Sequence, residues 1–290
     1  MTPLRTITTA SFARRIQNVQ SLRHDSTRCL SGESRIVNPR QLPELEFDED
    51  ELRLKAVMPG FTFSDLDKHG NISMSVIAKF CESLRIMMYA PSMLGDEFAV
   101  SDTLARVWKQ RLVFMVSSEY EFLPGIHDKS ILYKPMQVTD QIVNIGGSSY
   151  SHVNTAVSLR TKQPLYRSAV RLVLADRKSR RATPLPEWFT QHAKNVARID
   201  VKRLTEKSVP DDPATVHYVI QESDTDYYHH ANQSKYSAFC HNAAVIAARD
   251  GRLSTLGADL SRHRVRSFEG VYLREALAGD ELQGSLSFDP

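Results

Sequence analysis

Two carboxylates, two imidazoles and a carboxamide stand close together in Asp224-Thr-Asp226-Tyr-Tyr-His229-His230-Ala-Asn232. They follow a strand-like run, Thr215-Val-His-Tyr-Val-Ile-Gln221, and precede a helix-like run carrying Tyr236 and Cys240. The first turn of a helix leaves backbone N–H groups without partners, and the helix dipole adds partial positive charge. Polar residues entering a helix therefore make a place for an anion, or for a carbonyl oxygen on which negative charge develops. An acid and an imidazole beside such a place can activate water or move a proton. Each residue also has a structural reading. Asp224 can cap a turn, and Asp226 with His230 can be a hydrogen-bonded pair without chemistry. His229, His241 and Tyr227 read as surface or packing groups. A zinc centre from His229, His230 and His241 lacks ligand spacing, and nothing in the sequence marks Cys240 as a low-pKa nucleophile.

The elements that position these groups come next. At 290 residues, with 41% hydrophobic and 24% charged side chains, the chain has the composition of a globular protein able to bury a sizeable core. The net charge of +3 is small, and part of the basic excess lies near the N-terminus and in Arg177-Lys-Ser-Arg-Arg181, so no nucleic-acid footprint is expected. Exposed charge runs are usually solvated loops; the other reading is that Arg180 or Arg181 meets the phosphates of a carrier group. The three cysteines have no metal or redox spacing, no cofactor is called for, and no apolar run reaches the length of a membrane span.

Leu52–Phe63 reads as strand. Ile72, Val76, Ile77, Phe80, Leu84, Met87 and Met88 recur at helical spacing on one face, with Asn71 or Ser73 as a cap and Pro91 just past the end. Strand-like runs follow at Leu112–Phe122, Ile131–Tyr133, Gln137–Ile145, Ser149–Leu159 and Tyr166–Ala175, with turn signals at Pro124-Gly125 and Gly146-Gly147. One long helix among several antiparallel strands gives an α+β unit. Residues 177–212, rich in proline, read as a linker with a helical piece between Trp188 and Val201.

The second half then repeats the first. A single constant offset sets Ser64 on Ser223, Asp65 on Asp224, Asp67 on Asp226, Ser75 on Ser234, Phe80 on Phe239 and Cys81 on Cys240. Both copies run strand, Ser-Asp-x-Asp, polar turn, helix. Two copies of one fold are expected to pack as the halves of a homodimer do. The second copy ends after strand-like runs near Arg262–Arg274 and Glu281–Phe288, with no counterpart of the last two strands of the first copy. Either the sequence is a fragment or shortened isoform, or a homo-oligomer or partner chain completes the sheet, since an uncovered edge invites association.

Asp224-x-Asp226-x3-His230-x-Asn232 at the head of a helix carrying Tyr236 resembles the signature of the hotdog-fold thioesterases of the 4-hydroxybenzoyl-CoA thioesterase type. Two such units resemble the double-hotdog arrangement of the acyl-ACP thioesterases, over about residues 50–290, and Gly279-Asp-Glu-Leu282 resembles a turn common in that family. The resemblance implies a tandem hotdog: a first unit over residues 45–176, the linker, and a second over 213–290, each a central helix wrapped by a curved antiparallel sheet. It also implies hydrolysis of acyl-CoA or acyl-ACP thioesters.

Under the resemblance Asp226 is general base or nucleophile, His230 polarises the carbonyl or assists proton transfer, and Asn232 orients substrate or water. Backbone N–H groups from His230 to Asn232 then hold the oxyanion. Asp67, Asn71, Met74, Ile77 and Tyr236 are the substrate-binding candidates, with Met87 and Met88 as further lining; core packing is the other reading of the methionines. There are departures. The plant enzymes carry an Asn two residues before the His, where this chain has Tyr228, and use an acidic or Cys residue further on that spacing does not locate here. The first copy has Asn71 and Ser73 where the second has His230 and Asn232. The reading from a different class is a silent hotdog protein that binds acyl chains or serves in assembly. Residues 1–24 hold Arg5, Arg14, Arg15 and Arg23 and no acid, as an organellar transit peptide does, so residues 1–44 read as transit peptide and disordered connector. The mitochondrial matrix is the expected address and the plastid the second; the alternative is a disordered basic tail.

Overall fold

The computed structural model describes residues 44–89, 101–206, 214–252, 259–260 and 263–286. The basic segment ahead of Glu44, together with Pro91, Pro210 and Pro213, lies outside the described residues.

The first half is built on α1 (Met74–Tyr89), and six strands lie in one sheet with it: β1 (Glu44–Asp48), β2 (Arg53–Met58), β3 (Leu112–Phe122), β4 (Met136–Val143), β5 (Ser149–Ser158) and β6 (Pro164–Ala175). The strand order is β1-β2-β4-β5-β6-β3, all antiparallel, with a bulge in β3 between Met115 and Ser117. Alternation sends Leu54 and Ala56 of β2, and Met136, Val138 and Ile142 of β4, into the core. The helix meets them with Ile77, Ala78, Cys81, Leu84 and Met88. Full burial of a Leu or Ile side chain stabilises by roughly 1.5–3 kcal/mol, so this single helical face accounts for much of the unit's cohesion.

Three elements differ from the sequence reading. Ile131–Tyr133 is not a strand: Lys129–Leu132 forms the short helix α3, because Asp128 caps it by accepting the Ser130 N–H at 2.9 Å. Asp102–Gln110 forms α2, capped by Ser101, whose Oγ accepts the Leu104 N–H at 3.2 Å. The charged run Glu44–Asp48 is an edge strand, where only one side of the backbone has a partner. In the connecting segment Glu187–His192 forms α4, and Ile199 and Val201 pack on Val143, Val153 and Ala169 on the outer face of the sheet.

The second half contributes β7 (Ala214–Val219), α5 (Gln233–Arg249), β8 (Ser267–Val271) and β9 (Glu281–Leu286). β7 pairs with β9 as β2 pairs with β4, while β8 joins β3 and extends the first half's sheet to seven strands. In the first half β5 and β6 fill the space between β4 and β3; among the described residues no strand lies between β9 and β8. Cys81 is buried against Asn154 of β5 and Ser168 of β6, but its counterpart Cys240 is exposed, and among the described residues no strand stands over it as β5 and β6 stand over Cys81.

The repeat extends to individual hydrogen bonds. Leu66 bridges Ile72 and Thr225 bridges Ala231. Asp67 Oδ1 accepts the N–H groups of His69 and Asn71 at 2.8 and 2.9 Å; Asp226 Oδ1 accepts those of Tyr228 and His230 at 2.8 and 3.3 Å. Each loop passes through a left-handed residue, Gly70 at φ 75° and His229 at φ 64°. A glycine at such a φ is free of the Cβ strain that other residues carry. Gly70→Ala is therefore expected to destabilise the fold by about 1 kcal/mol, read as a lower urea midpoint at unchanged slope. An unchanged midpoint would show that the loop does not depend on this conformation.

Candidate active site

The helices α1 and α5 pack against each other, and a cavity of about 430 Å³ opens where α1 passes the start of α5. The first half supplies Glu82, Arg85 and Tyr89 from α1 and Phe114 from β3. The second half supplies Asp226, His230, Asn232, Gln233 and Tyr236.

Asn232 is the N-cap of α5. Its Oδ1 accepts the Ser234 N–H at 2.8 Å and the Ser234 hydroxyl at 2.6 Å. That bond turns the Nδ2 group outward, where it donates to both oxygens of Glu82 at 3.0 and 2.9 Å. The cap and the carboxylate thus fix each other across the two halves. Burial raises the Glu82 pKa above the usual glutamate value, and this outweighs the lowering by Arg85 and by the Asn232 hydrogen bond.

Asp226 borders the same cavity with its Oδ1 engaged by the loop backbone, as described. Asp224 is buried under the loop. Its Oδ2 accepts the Tyr218 hydroxyl at 2.7 Å and the Gln221 N–H at 3.0 Å, and Lys235 approaches Oδ1 at 3.2 Å. Burial works to raise its pKa, but these three donors outweigh it and hold the carboxyl below the usual aspartate value. Asp224 ties strand, loop and helix together.

His230 Nε2 lies 3.0 Å from Arg180 Nη2 and 3.4 Å from Glu275 Oε2, and Arg180 also hydrogen-bonds Glu275. A guanidinium only donates, so Nε2 is an acceptor in the Arg180 contact. The Tyr228 ring stacks against His230 at an interplanar angle of 20°, and burial pushes its phenol pKa up to about 12, so it keeps its proton. The loop is fastened to the end of the chain: His230 bridges Leu277, and Asp280 Oδ2 accepts the Leu277 N–H at 2.8 Å in the Gly-Asp-Glu-Leu turn.

The backbone donors fall differently from expectation. The N–H of His230 bonds Asp226 Oδ1, that of Ala231 bonds Ala276 O at 2.7 Å, and that of Asn232 bonds Asp224 O at 2.8 Å. All three are engaged inside the protein and none is turned to a ligand. Among the described residues at the head of α5, Gln233, its first residue, has no such acceptor for its N–H.

Of the substrate-binding candidates, Tyr236 lines this cavity. Asp67, Asn71 and Met74 line a second hollow of about 220 Å³, between the first-half loop and α5. This hollow is the internal twin of the larger one, with Asn71 for His230, Ser73 for Asn232 and His241 for Glu82. Ile77 and Met88 are fully buried in the core, and Met87 packs against it. Glu82, Arg85, Gln233 and Glu275 were not singled out from the sequence. The one signal for Glu82 was its place under the repeat, opposite a histidine on the other helix.

No protein-family model matches the sequence, and no curated protein does. Among solved structures, a 12:0-ACP thioesterase from Umbellularia californica matches with a TM-score of 0.61 at 14% identity, covering 82% of this chain and 88% of its own. An acyl-ACP thioesterase from Bacteroides thetaiotaomicron matches with a TM-score of 0.55 at 14% identity, covering 81% and 86%. The chain has the double-hotdog fold. At such identity the likeness is one of fold, so the chemistry of this tandem hotdog has to be argued from its own residues. No described helix of the tandem hotdog is long and apolar enough to cross a membrane.

Proposed function

We infer that the tandem hotdog hydrolyses an acyl thioester in the larger cavity. The observation that carries this reading is the Glu82 carboxylate of the first half, clamped by the amide of Asn232 at the head of the second half's helix. Water beside Glu82 loses its proton to that carboxylate as its oxygen attacks the thioester carbon. The Gln233 N–H, at the positive end of the α5 dipole, faces the oxyanion that forms. The C–S bond then breaks, and the departing thiolate takes the proton that Glu82 holds, leaving a carboxylic acid and a thiol and restoring the carboxylate. Asn232 and Asp226 are positioning residues: one aims the base, the other shapes the loop. Glu275, beside His230, is the acidic residue that spacing alone did not locate. The acyl thioesters of carrier protein or of coenzyme A are the substrates this reading names.

A thiol-release assay over acyl-CoA and acyl-carrier-protein thioesters tests it. Asp226→Asn keeps an Oδ1 acceptor for the loop and is expected to retain turnover within about tenfold, whereas Asp226→Ala opens the loop and is expected to lose more. If Asp226→Asn is as inactive as removal of Glu82, then Asp226 is the base and the assignment of Glu82 fails. A non-hydrolytic acyl binder is the second reading, favoured by the engagement of the three loop N–H groups; binding of every thioester with turnover of none would establish it.

A further inference from the structure

The larger cavity contains a feature that a hydrocarbon tail does not account for. Arg85 lies on α1 one turn beyond Glu82, is only 5% exposed, and lines the cavity. Its Nη1 is buried with no hydrogen-bond partner. A buried donor left without an acceptor carries its full desolvation cost, and more when the group is charged. The charge itself is compensated. Burial acts to lower the Arg85 pKa, but Tyr120, Asp140 and Glu82 together raise it, so the guanidinium is fully ionised between two acidic side chains. What is lacking is an acceptor for the Nη1 N–H groups, not a counter-charge.

The surroundings are polar as well. Tyr89 also borders the cavity, and its Oη lies 2.8 Å from Tyr150 Oη and 2.6 Å from His152 Nε2. His152 Nδ1 is in turn 2.5 Å from Asp140 Oδ1. A buried polar chain of this kind runs beside the aliphatic wall formed by Ile86, Val113 and Leu172.

We propose that the acyl group taken by this cavity carries a neutral oxygen, an oxo or hydroxyl group, which accepts the unpartnered Arg85 N–H. The inference rests on the thioester reading and names its substrate class. A carboxylate is disfavoured, because Glu82 and Asp140 already compensate the guanidinium charge. A plain alkyl tail leaves the buried donor unpaired, and a site built to meet an oxygen rejects the analogue lacking it.

The test pairs octanoyl-, decanoyl- and dodecanoyl-CoA with their oxo and hydroxy derivatives, substituted at successive carbons. For at least one position the oxygenated thioester is expected to exceed its plain counterpart in kcat/KM by about tenfold to a hundredfold. In Arg85→Met that ratio is expected to fall to about one, and Arg85→Lys to restore part of it. Equal kcat/KM for every pair, a ratio unchanged in Arg85→Met, or preference for an acyl group ending in a carboxylate would each overturn the proposal. Calorimetry with S-alkyl thioether analogues of CoA, with and without the oxo group, reads the same preference on the unaltered protein. It needs no turnover and no folded variant. Selective binding without turnover would retain the oxygen preference and sink the hydrolase reading; turnover without selectivity would do the reverse.

Discussion

Glu82→Gln is expected to lower kcat/KM for thioester hydrolysis by about 10²- to 10⁴-fold, the usual contribution of a positioned general base. Gln preserves the shape of the side chain and can still meet the Asn232 amide with its Oε1, so loss of activity would report the missing carboxylate rather than a collapsed site. The pH profile gives a sharper readout. A base must be ionised to act, and burial raises the Glu82 pKa above the usual glutamate value. Activity should therefore rise with pH along a limb displaced above the ordinary glutamate range, and Glu82→Gln should remove that limb. Stability should move the other way. Between the unfolded and folded pKa values the native state binds more protons than the unfolded chain, so unfolding free energy falls as pH rises through that window. Glu82→Gln should flatten this decline. A variant with full activity and an unchanged acid limb would end the assignment.

Asp140→Ala is expected to lower the unfolding free energy by about 3–5 kcal/mol, measured by urea denaturation. Asp140 sits on the inward face of β4 at 1% exposure, in the row that Met136, Val138 and Ile142 fill with hydrocarbon. Its Oδ1 meets His152 Nδ1 and its Oδ2 accepts the Asn154 amide at 3.0 Å. Asn154 Oδ1 then accepts the Tyr166 hydroxyl at 2.9 Å. Truncation leaves an imidazole and an amide buried without acceptors and removes one of the acids that compensate Arg85. Against a typical total of about 5–15 kcal/mol, a loss of that size leaves little margin. A loss below about 1 kcal/mol would mean that the network is dispensable to the fold and that the polar row serves the cavity alone.

Much of this molecule was legible in its sequence, because the same local code is written twice. Ser-Asp-x-Asp ahead of a helix specifies a loop closed by an aspartate on backbone N–H groups, and the second copy confirms the reading of the first. The helical face of α1 was equally plain from Ile77 to Met88. The site was harder to read, because its parts come from different places in the chain: Asn232 and Glu82 are 150 residues apart. Helical periodicity also treats Glu82 and Arg85 as the flank of an apolar stripe, and only the packing of α1 on α5 turns that flank into a wall. Asp226 illustrates the converse. Its spacing to His230 and Asn232 suggested a base, yet the same spacing is what a loop clip requires. The short elements α2, α3 and β1 were missed because caps and an edge pairing, rather than a hydrophobic period, define them.

The pairing of β8 with β3 also sets an order of events during synthesis. β8 has its only described partner in a strand of the first half, and α5 rests on α1, so the C-terminal part has little to condense on until the N-terminal part exists. A ribosome delivers the two in that order, and each newly emerged segment of the later part meets a finished template.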